Sequence, residues 1–501
     1  MIGMRDQIVR KLARKNTLIT PDAWEYLEGL DEQQKALSII ERLEEENEDL
    51  PFPVCKENIS CLVEDVLEKE KKGELEKREN EEEERKSEKK SSEMDRDPMA
   101  DLRVLKDISG ESTCTGCIDD FKTYFQDRFE RIKSIVKKRR DGRKARPIKR
   151  IANRAGDGTI IAMVRDIYTS SNGNKMLTLE DDSGEIRGFI SNDSEAFEKD
   201  LLEDEVILAK GEVWENNGNF EDTFAIEEIT RPDIPRLNKE SRIEFSGKIA
   251  FLGDIHVGSD TFLKNEWDDF ISWINSDDEE AEAIRFLVIP GDLIDGIGIF
   301  PDQEKELEII DIYEQYRKLA DMLQDLPEDI TVITIPGNHD IVRNAEPQPC
   351  LPEDVQEMFP DNVLFFGNPS LVDLDGLKML MYHGSSINDL SDMLPQVSSE
   401  KPITAMREML KRRHLVPVYG KKTSIAPEEK DHLVIDEVPD IFITGHIHRT
   451  EVETHHGVLM VNASTWQAQT EYQKMRDIQP DPAKVIVLDP ETNKASIRDF
   501  S

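Results

Sequence analysis

Five short polar clusters along the chain each follow an apolar run and carry side chains that can bind a metal ion. They are Gly253-Asp254-Ile255-His256, Gly291-Asp292, Gly337-Asn338-His339-Asp340, His383-Gly384 and Gly445-His446-Ile447-His448. Alternate residues of a strand face the same side, so Asp254 and His256 can reach one ion. His446 and His448 share that spacing, although a bend could aim them at two ions. One such pair is usually a surface feature, whereas five in this order predict a metal site.

The ligand types narrow the choice of metal. Neutral imidazole and carboxylate together suit Mn, Fe or Zn better than Ca. A carboxylate such as Asp292 can bridge two ions about 3.5 to 4 Å apart, the separation used in hydrolytic two-metal sites. Glycines in the clusters let the backbone turn sharply, so that the ligands can converge.

The elements that must position these ligands are buried strands. The apolar runs at 249–252, 286–289, 331–335, 379–381 and 441–443 resemble strands of a layered α/β fold, which places ligand sites at their carboxyl ends. Residues 151–235 look all-β instead, with five strands and a short helix at 194–202 between the third and fourth. That order is typical of an OB-fold, although other small barrels share it.

Composition and charge predict two regions in the amino-terminal part of the chain. Residues 1–50 have apolar positions at helical spacing and predict a small helical interaction domain. Residues 51–150 are expected to form a charged, largely disordered linker. Its basic segment at 131–150 has eleven basic residues and one acid, Asp141, and is either solvated chain or a nucleic-acid contact.

Overall composition sets the class of protein. The chain has 501 residues and a net charge of -41, so DNA contact would need a local basic patch or metal ions. No apolar run approaches the roughly 18 residues needed to cross a bilayer, and a secretory signal is lacking, so we expect a soluble, cytoplasmic protein of several domains. Five cysteines argue against a disulfide framework. Cys114 and Cys117 could form half a zinc site with Cys55 and Cys61.

The ordered clusters resemble those of the calcineurin-like metallophosphoesterase superfamily over residues 240–501. The resemblance implies a two-sheet α/β sandwich within a multidomain α/β chain, and two divalent ions, with Mn²⁺ preferred over Mg²⁺, Fe²⁺ or Zn²⁺. By motif, one ion would be held by Asp254, His256, Asp292 and His448. The other would be held by Asp292, Asn338, His383 and His446. His339 would be the catalytic histidine that stabilises the transition state or protonates the leaving oxygen.

Two features narrow the resemblance. Asp295 is followed by Gly296, and Asp340 stands where protein Ser/Thr phosphatases have Glu, so the chain departs from that group. A predicted OB-fold before a phosphoesterase domain resembles the small, or B, subunits of replicative DNA polymerases. The segments 411–420 and 465–473 are similar to the archaeal family D version of those subunits.

The family D resemblance implies a 3′–5′ proofreading exonuclease that acts on single-stranded DNA and primer 3′ ends. It also implies a separate large catalytic subunit as partner, and a contact with the sliding clamp. Two alternatives remain open at this point. One is a general metal-dependent phosphodiesterase or phosphatase, and the other is a non-catalytic scaffold subunit.

Overall fold

The computed structural model describes residues 102–152, 154–214, 222–235 and 247–501. The predicted helical domain at 1–50 and the first half of the predicted linker lie outside the described residues. The helices are α1 (Ile118–Lys137), α2 (Ile148–Ile151), α3 (Lys264–Ile274), α4 (Glu279–Glu282), α5 (Ile312–Leu323), α6 (Glu353–Gln356), α7 (Ser386–Met393), α8 (Ile403–Arg412) and α9 (Glu471–Met475). In the part of the chain that the structure describes, none of them is both long enough and apolar enough to cross a bilayer.

The strands form two sheets and a barrel. In chain order they are β1 (Leu102–Lys106), β2 (Gly156–Thr169), β3 (Lys175–Asp181), β4 (Gly184–Ile190), β5 (Val206–Trp214), β6 (Thr223–Thr230), β7 (Lys248–Phe251), β8 (Ile284–Ile289), β9 (Thr331–Thr334), β10 (Val363–Phe365), β11 (Ser370–Leu374), β12 (Leu377–Met381), β13 (Ile441–Thr444), β14 (Glu451–His455), β15 (Val458–Asn462), β16 (Lys484–Asp489) and β17 (Lys494–Asp499).

Two six-stranded sheets pack face to face. Their strand orders are β1-β11-β12-β13-β15-β14 and β10-β9-β8-β7-β16-β17. Phe251 and Val288 of the second sheet share a buried cluster with Met379, Ile443 and Val461 of the first. The central strands are mostly apolar because both of their faces are covered. The mixed α/β class expected from the sequence is confirmed.

Helices cover the outer faces of the two sheets. Trp267 and Phe270 of α3 and Tyr316 of α5 pack on the second sheet. Leu390 of α7 and Met406 of α8 pack on the first. The result is four layers, helix on sheet on sheet on helix. Because β7, β8 and β9 run parallel, as do β12 and β13, their carboxyl ends point the same way within each sheet.

The remaining five strands close into a barrel in the order β2-β3-β4-β6-β5. All neighbours are antiparallel except β4 and β6. Ile160, Val164, Leu177 and Phe224 fill the interior. Between β4 and β5, where the sequence predicted a helix, the chain makes a short 3-10 turn at Glu195–Glu198.

The prediction of a largely disordered linker is wrong for residues 102–150. β1 adds an antiparallel strand to the edge of the first sheet beside β11. The apolar stripe of α1, with Phe129, Ile132 and Val136, packs on barrel residues such as Ile161 and Val206. The basic residues dominate the composition of this segment, but the stripe between them buries enough apolar surface to order it.

Candidate metal centre

All five polar clusters come together where the strands of the two sheets end. The loops that follow β7, β8 and β9 meet those that follow β12 and β13. Asp254, His256, Asp292, His383 and His448 are all less than a tenth exposed. Asn338 and His446, the other two predicted ligands, are half-buried beside them. The seven predicted ligands therefore lie in a single cluster.

The first ligand group consists of Asp254, His256 and His448. Their ligand atoms all lie within 4.8 Å of one another. His448 Nε2 lies 3.2 Å from Asp254 Oδ2 and 3.1 Å from His256 Nε2. Among the described residues, Asp254 Oδ1 has no hydrogen-bond partner although it is buried. A buried carboxylate oxygen without a partner is unfavourable unless a cation neutralises it.

The second group consists of Asp292, His383 and His446. His383 Nε2 lies 3.3 Å from both Asp292 Oδ2 and His446 Nδ1. Asn338 adds an amide oxygen 3.0 Å from the same nitrogen. Asp292 Oδ2 also lies 3.8 Å from His256 Nε2, so this carboxylate reaches both groups.

The ionisable side chains of the cluster shift one another's pKa values. Burial alone would raise the pKa of Asp292, but the facing His383 and His339 hold it well below its usual range. Burial alone would lower the pKa of His383, but Asp292 raises it to about 10. Burial and the neighbouring His383 lower the pKa of His446 to about 3. Asp292 is thus ionised and His446 neutral, whereas His383 holds a proton that a bound cation would displace. Carboxylate and imidazole together are a donor set that suits a divalent cation.

The hydrogen bonds made by Nδ1 of two histidines set the orientation of their rings. His256 Nδ1 lies 3.0 Å from Asp295 Oδ1 and must carry the proton of that bond, because an ionised carboxylate only accepts. His383 Nδ1 donates to the carbonyl oxygen of Pro290 at 2.9 Å. Both rings therefore turn Nε2 toward the cluster, as metal-binding histidines do. Together with the unpartnered oxygen of Asp254, this arrangement fits bound metal.

Two glycines leave room for the carboxylates. A Cβ atom on Gly337 would lie 2.2 Å from Asp292 Oδ1, and one on Gly445 would lie 2.2 Å from Asp254 Oδ1. Real Cβ atoms do not approach neighbours that closely. The carboxylates can therefore take these positions only beside glycine.

His339 lies on the wall of the cleft above the cluster. Its Nδ1 donates to the carbonyl oxygen of Asp295 at 2.7 Å, and its backbone N–H donates to Asp292 Oδ1 at 2.9 Å. The ring is 16% exposed and packs edge-on against His256 at 4.7 Å. The cleft has a volume of about 650 Å³ and reaches out to Phe300 and Tyr472. Nε2 of His339 is thus left available to a molecule in the cleft.

Comparison with known proteins identifies the family. Residues 249–453 match the B-subunit family of DNA polymerases alpha and epsilon. The chain is 41% identical over 397 residues to the DNA polymerase II small subunit of Archaeoglobus fulgidus, covering 78% of this chain and 79% of that one. It is 42% identical over 406 residues to the protein of the same name from Methanocaldococcus jannaschii, covering 79% and 67% of the two chains. The chain belongs to the archaeal DNA polymerase II small-subunit family. The resemblance inferred from the sequence motifs is confirmed.

One match among solved structures is a more distant protein. The crystal structure of Vps29 complexed with zinc from Entamoeba histolytica aligns with 51% of this chain and 99% of its own, at 15% identity and a TM-score of 0.25. A likeness of that size carries no argument about the function of this family member.

Sequence reasoning missed the residues that support the ligands. Asp295 and Gln473 contact the outer nitrogens of His256 and His448, the latter at 3.0 Å. Asn388 Nδ2 lies 2.9 Å from His446 Nε2. Asp295 stands three positions after a predicted ligand, which was a usable signal.

The zinc hypothesis for the cysteines stays a prediction. Cys114 Sγ donates to Glu428 at 3.2 Å, and Cys117 is exposed. Their suggested partners Cys55 and Cys61 lie outside the described residues.

Proposed function

We propose that this chain is a 3′–5′ exonuclease subunit of the archaeal replicative family D polymerase and that it acts on single-stranded DNA and primer 3′ ends. The observation that carries the proposal is the buried cluster of seven converging ligands, open to a cleft that His339 lines. Relatives at about 40% identity are named as DNA polymerase II small subunits. A proofreading exonuclease in such a subunit would remove misincorporated nucleotides.

The proposed domains follow from the architecture. We assign residues 240–501 to a calcineurin-like phosphoesterase domain, because two stacked sheets hold the cluster at their strand ends. We assign residues 151–235 to an OB-fold, because five strands close in the order β2-β3-β4-β6-β5 with a short turn before β5.

The ligand groups suggest how two divalent ions would be held. Asp254, His256 and His448 would bind one ion, and His383, His446 and Asn338 the other, with Asp292 shared. When bound, such ions activate water and neutralise charge on the scissile phosphate. Imidazole and carboxylate ligands favour Mn²⁺, with Mg²⁺, Fe²⁺ or Zn²⁺ as alternatives.

His339 is assigned the proton transfer. Its bond from Nδ1 to the Asp295 carbonyl oxygen holds the ring in one orientation, and its backbone bond to Asp292 ties it to the cluster. As an imidazolium, it would donate from Nε2 to the phosphate oxygen that carries developing charge or to the leaving 3′ oxygen.

The basic segment supports nucleic acid as the substrate class over a small phosphodiester. Arg131 and Lys133 are paired with acids, the exposed Lys144 pairs with Asp141, and Arg139 bonds backbone carbonyls. The rest of the cluster is exposed on one short stretch beside the barrel and consists of Lys137, Lys138, Arg140, Arg143, Arg146, Lys149 and Arg150. In a chain with a net charge of -41, these cations form a local site for a phosphate backbone.

Partners follow from family membership. A large catalytic subunit would carry out DNA synthesis, and the sliding clamp would be reached through the same complex. We expect this chain to purify with the large subunit when the two are co-expressed. A monomer from native extract with no associated polymerase activity would contradict that assignment.

The test uses His339→Ala in the co-expressed complex and a 3′-labelled single strand in manganese. We expect the rate of degradation to fall about 10²-fold or more while metal content and DNA synthesis stay at the wild-type level. Asp292→Asn should lose metal as well as activity, because that carboxylate serves both groups. His456→Ala, on a turn after β14, is the control and should behave as wild type.

Two results would count against the proposal. Degradation by His339→Ala at the wild-type rate would refute the role of that residue. A wild-type complex with no 3′–5′ degradation would favour the scaffold alternative.

A further inference from the structure

Three flat side-chain groups lie in contact at the mouth of the metal cleft. The rings of Phe300 and Tyr472 are stacked, with centroids 5.7 Å apart and planes 25° apart. The guanidinium carbon of Arg476 lies 4.6 Å from the centroid of the Tyr472 ring. We call Phe300, Tyr472 and Arg476 the aromatic rim. All three line the same cleft as the ligand groups.

In the aromatic rim, Tyr472 and Arg476 are exposed and Phe300 is half-buried. Tyr472 is 37% exposed, and Ile299 and Ile478, which also line the cleft, are 38% and 39% exposed. Exposed apolar surface that continues a polar site is typical of a ligand-binding surface. Here it lines the same cleft as His339 and the ligand groups.

Charge on the cleft wall cannot supply much affinity for a polyanion. Outside the ligand cluster and its supporting Asp295, the cations that line the cleft are Lys422, Arg449 and Arg476, and the anions are Glu306, Glu400 and Asp477. Three charges of each sign nearly cancel. A nucleic-acid strand would therefore need another source of binding energy at this point, and stacking of bases on aromatic rings or on an arginine plane is the common one.

We infer that the aromatic rim stacks an unpaired base at the 3′ end of the substrate strand and so places the terminal phosphodiester over the ligand groups. The inference rests on the proposed exonuclease function and adds how the strand is held. A base in a duplex already has both faces stacked, so the rim would select single-stranded ends, including frayed or mismatched primer termini.

The aromatic rim and one of the metal ligands are connected through helix α9. Tyr472 lies in α9, and the next residue, Gln473, lies 3.0 Å from Nδ1 of His448. Thr470 and Gln473 form reciprocal capping bonds that hold this short helix in place. One helix turn therefore presents an aromatic ring to the cleft and a supporting amide to a ligand.

The test compares two substrates in the co-expressed complex. One is a 3′-labelled oligothymidylate, and the other is the same strand with abasic residues at its last three positions. For the intact strand we expect Tyr472→Ala to raise KM about tenfold, with a smaller change in kcat. For the abasic strand, which has no bases to stack, Tyr472→Ala and wild type should give the same KM.

Matched variants separate stacking from other roles. Tyr472→Phe keeps the ring and should restore the wild-type KM. Met475 lies on the same helix and is 79% exposed, so Met475→Ala should leave KM unchanged for both substrates. An equal loss on both strands would overturn the inference, because stacking would not be the cause. So would dissociation of the large subunit from Tyr472→Ala, which would make the rim a protein interface.

The same experiment distinguishes a failure of the stacking inference from a failure of the proposed exonuclease function. If the wild-type complex degrades both strands and Tyr472→Ala matches it on both, only the stacking inference fails. If the wild-type complex degrades neither strand, the exonuclease proposal fails and the stacking inference with it.

Discussion

Replacing Asp295 by asparagine is expected to weaken metal binding without removing a ligand. The carboxylate accepts from His256 Nδ1 at 3.0 Å and from Gln467 Nε2 at 2.9 Å on one oxygen, and from Gln303 Nε2 at 3.1 Å on the other. All three partners are donors. Asparagine offers one oxygen and one NH₂ group, so at least one donor must face another donor.

The expected loss of metal affinity depends on which hydrogen bond of Asp295 is lost. If the amide oxygen keeps His256 and Gln467, its nitrogen faces Gln303, which cannot turn over freely because its Oε1 accepts from Ile299 N at 2.9 Å. Asp295 is only 3% exposed, so water cannot easily substitute. One unsatisfied buried donor costs about 1–3 kcal/mol, and loss of a supporting carboxylate typically weakens a metal site about 10–100-fold. The two ranges agree, since a tenfold change corresponds to about 1.4 kcal/mol.

The assay is the manganese dependence of strand degradation by the co-expressed complex. Asp295→Asn should raise the half-saturating manganese concentration about 10–100-fold, with much of the activity recovered at saturation. Asp302→Asn is the matched control, because that side chain is 75% exposed and pairs only with Lys305 in the described part of the chain. An unchanged manganese dependence in Asp295→Asn would refute the supporting role of this carboxylate.

Three further predictions concern the site, the fold and the basic segment. Gly337→Ala should abolish metal binding measured by calorimetry, since its Cβ would lie 2.2 Å from Asp292 Oδ1, and retention of both ions would contradict the geometry. Burial lowers the pKa of His414 to about 4 in the folded protein, so the unfolded chain binds more protons below pH 6.5. The contribution of His414 to the free energy of unfolding in urea, taken as the difference between wild type and His414→Gln, should therefore fall between pH 6.5 and 4 by on the order of 3 kcal/mol. Lys149→Glu with Arg150→Glu should weaken duplex binding and lower its logarithmic salt slope by about 2, and an unchanged slope would exclude this segment from the interface.

Strand spacing by itself left open how the predicted ligands divide, whereas the motif resemblance implied two sets. Strand alternation suggested that His446 and His448 could face one ion. The structure instead puts His446 with Asp292 and His448 with Asp254. Both histidines have left-handed backbone angles, with φ of 67° and 56°, which break the alternation of a strand. The motif-based assignment of these residues to two metal ions stays a prediction.

The supporting residues could not be predicted because nothing local marks them. Asn388 contacts His446 across 58 positions of sequence, and Gln473 contacts His448 across 25. Amide side chains are frequent on any surface, so their types carry little information. Only the packing of α7 and α9 beside the strand ends brings them to the ring nitrogens.

Contacts between distant residues also explain why the prediction of disorder was wrong for residues 102–150. The prediction of disorder rested on the number of charged residues. Helix α1 is ordered because its apolar stripe packs on the barrel. Arg128 is fully buried and bonds Asp431 at 2.8 Å, 303 positions away. A cation in a charged segment indicates a buried ion pair only once its partner is known.

The sequence alone determined the classes of element, the order of the polar clusters and the residue types that can bind metal, because periodicity and motif spacing are local properties. It also determined the family, since that is a likeness between sequences. The tertiary structure decided which donors orient the ligands and which flat side chains stand at the mouth of the cleft. Those features depend on loops from two different sheets meeting in space, and a contact across hundreds of residues leaves no local pattern to read.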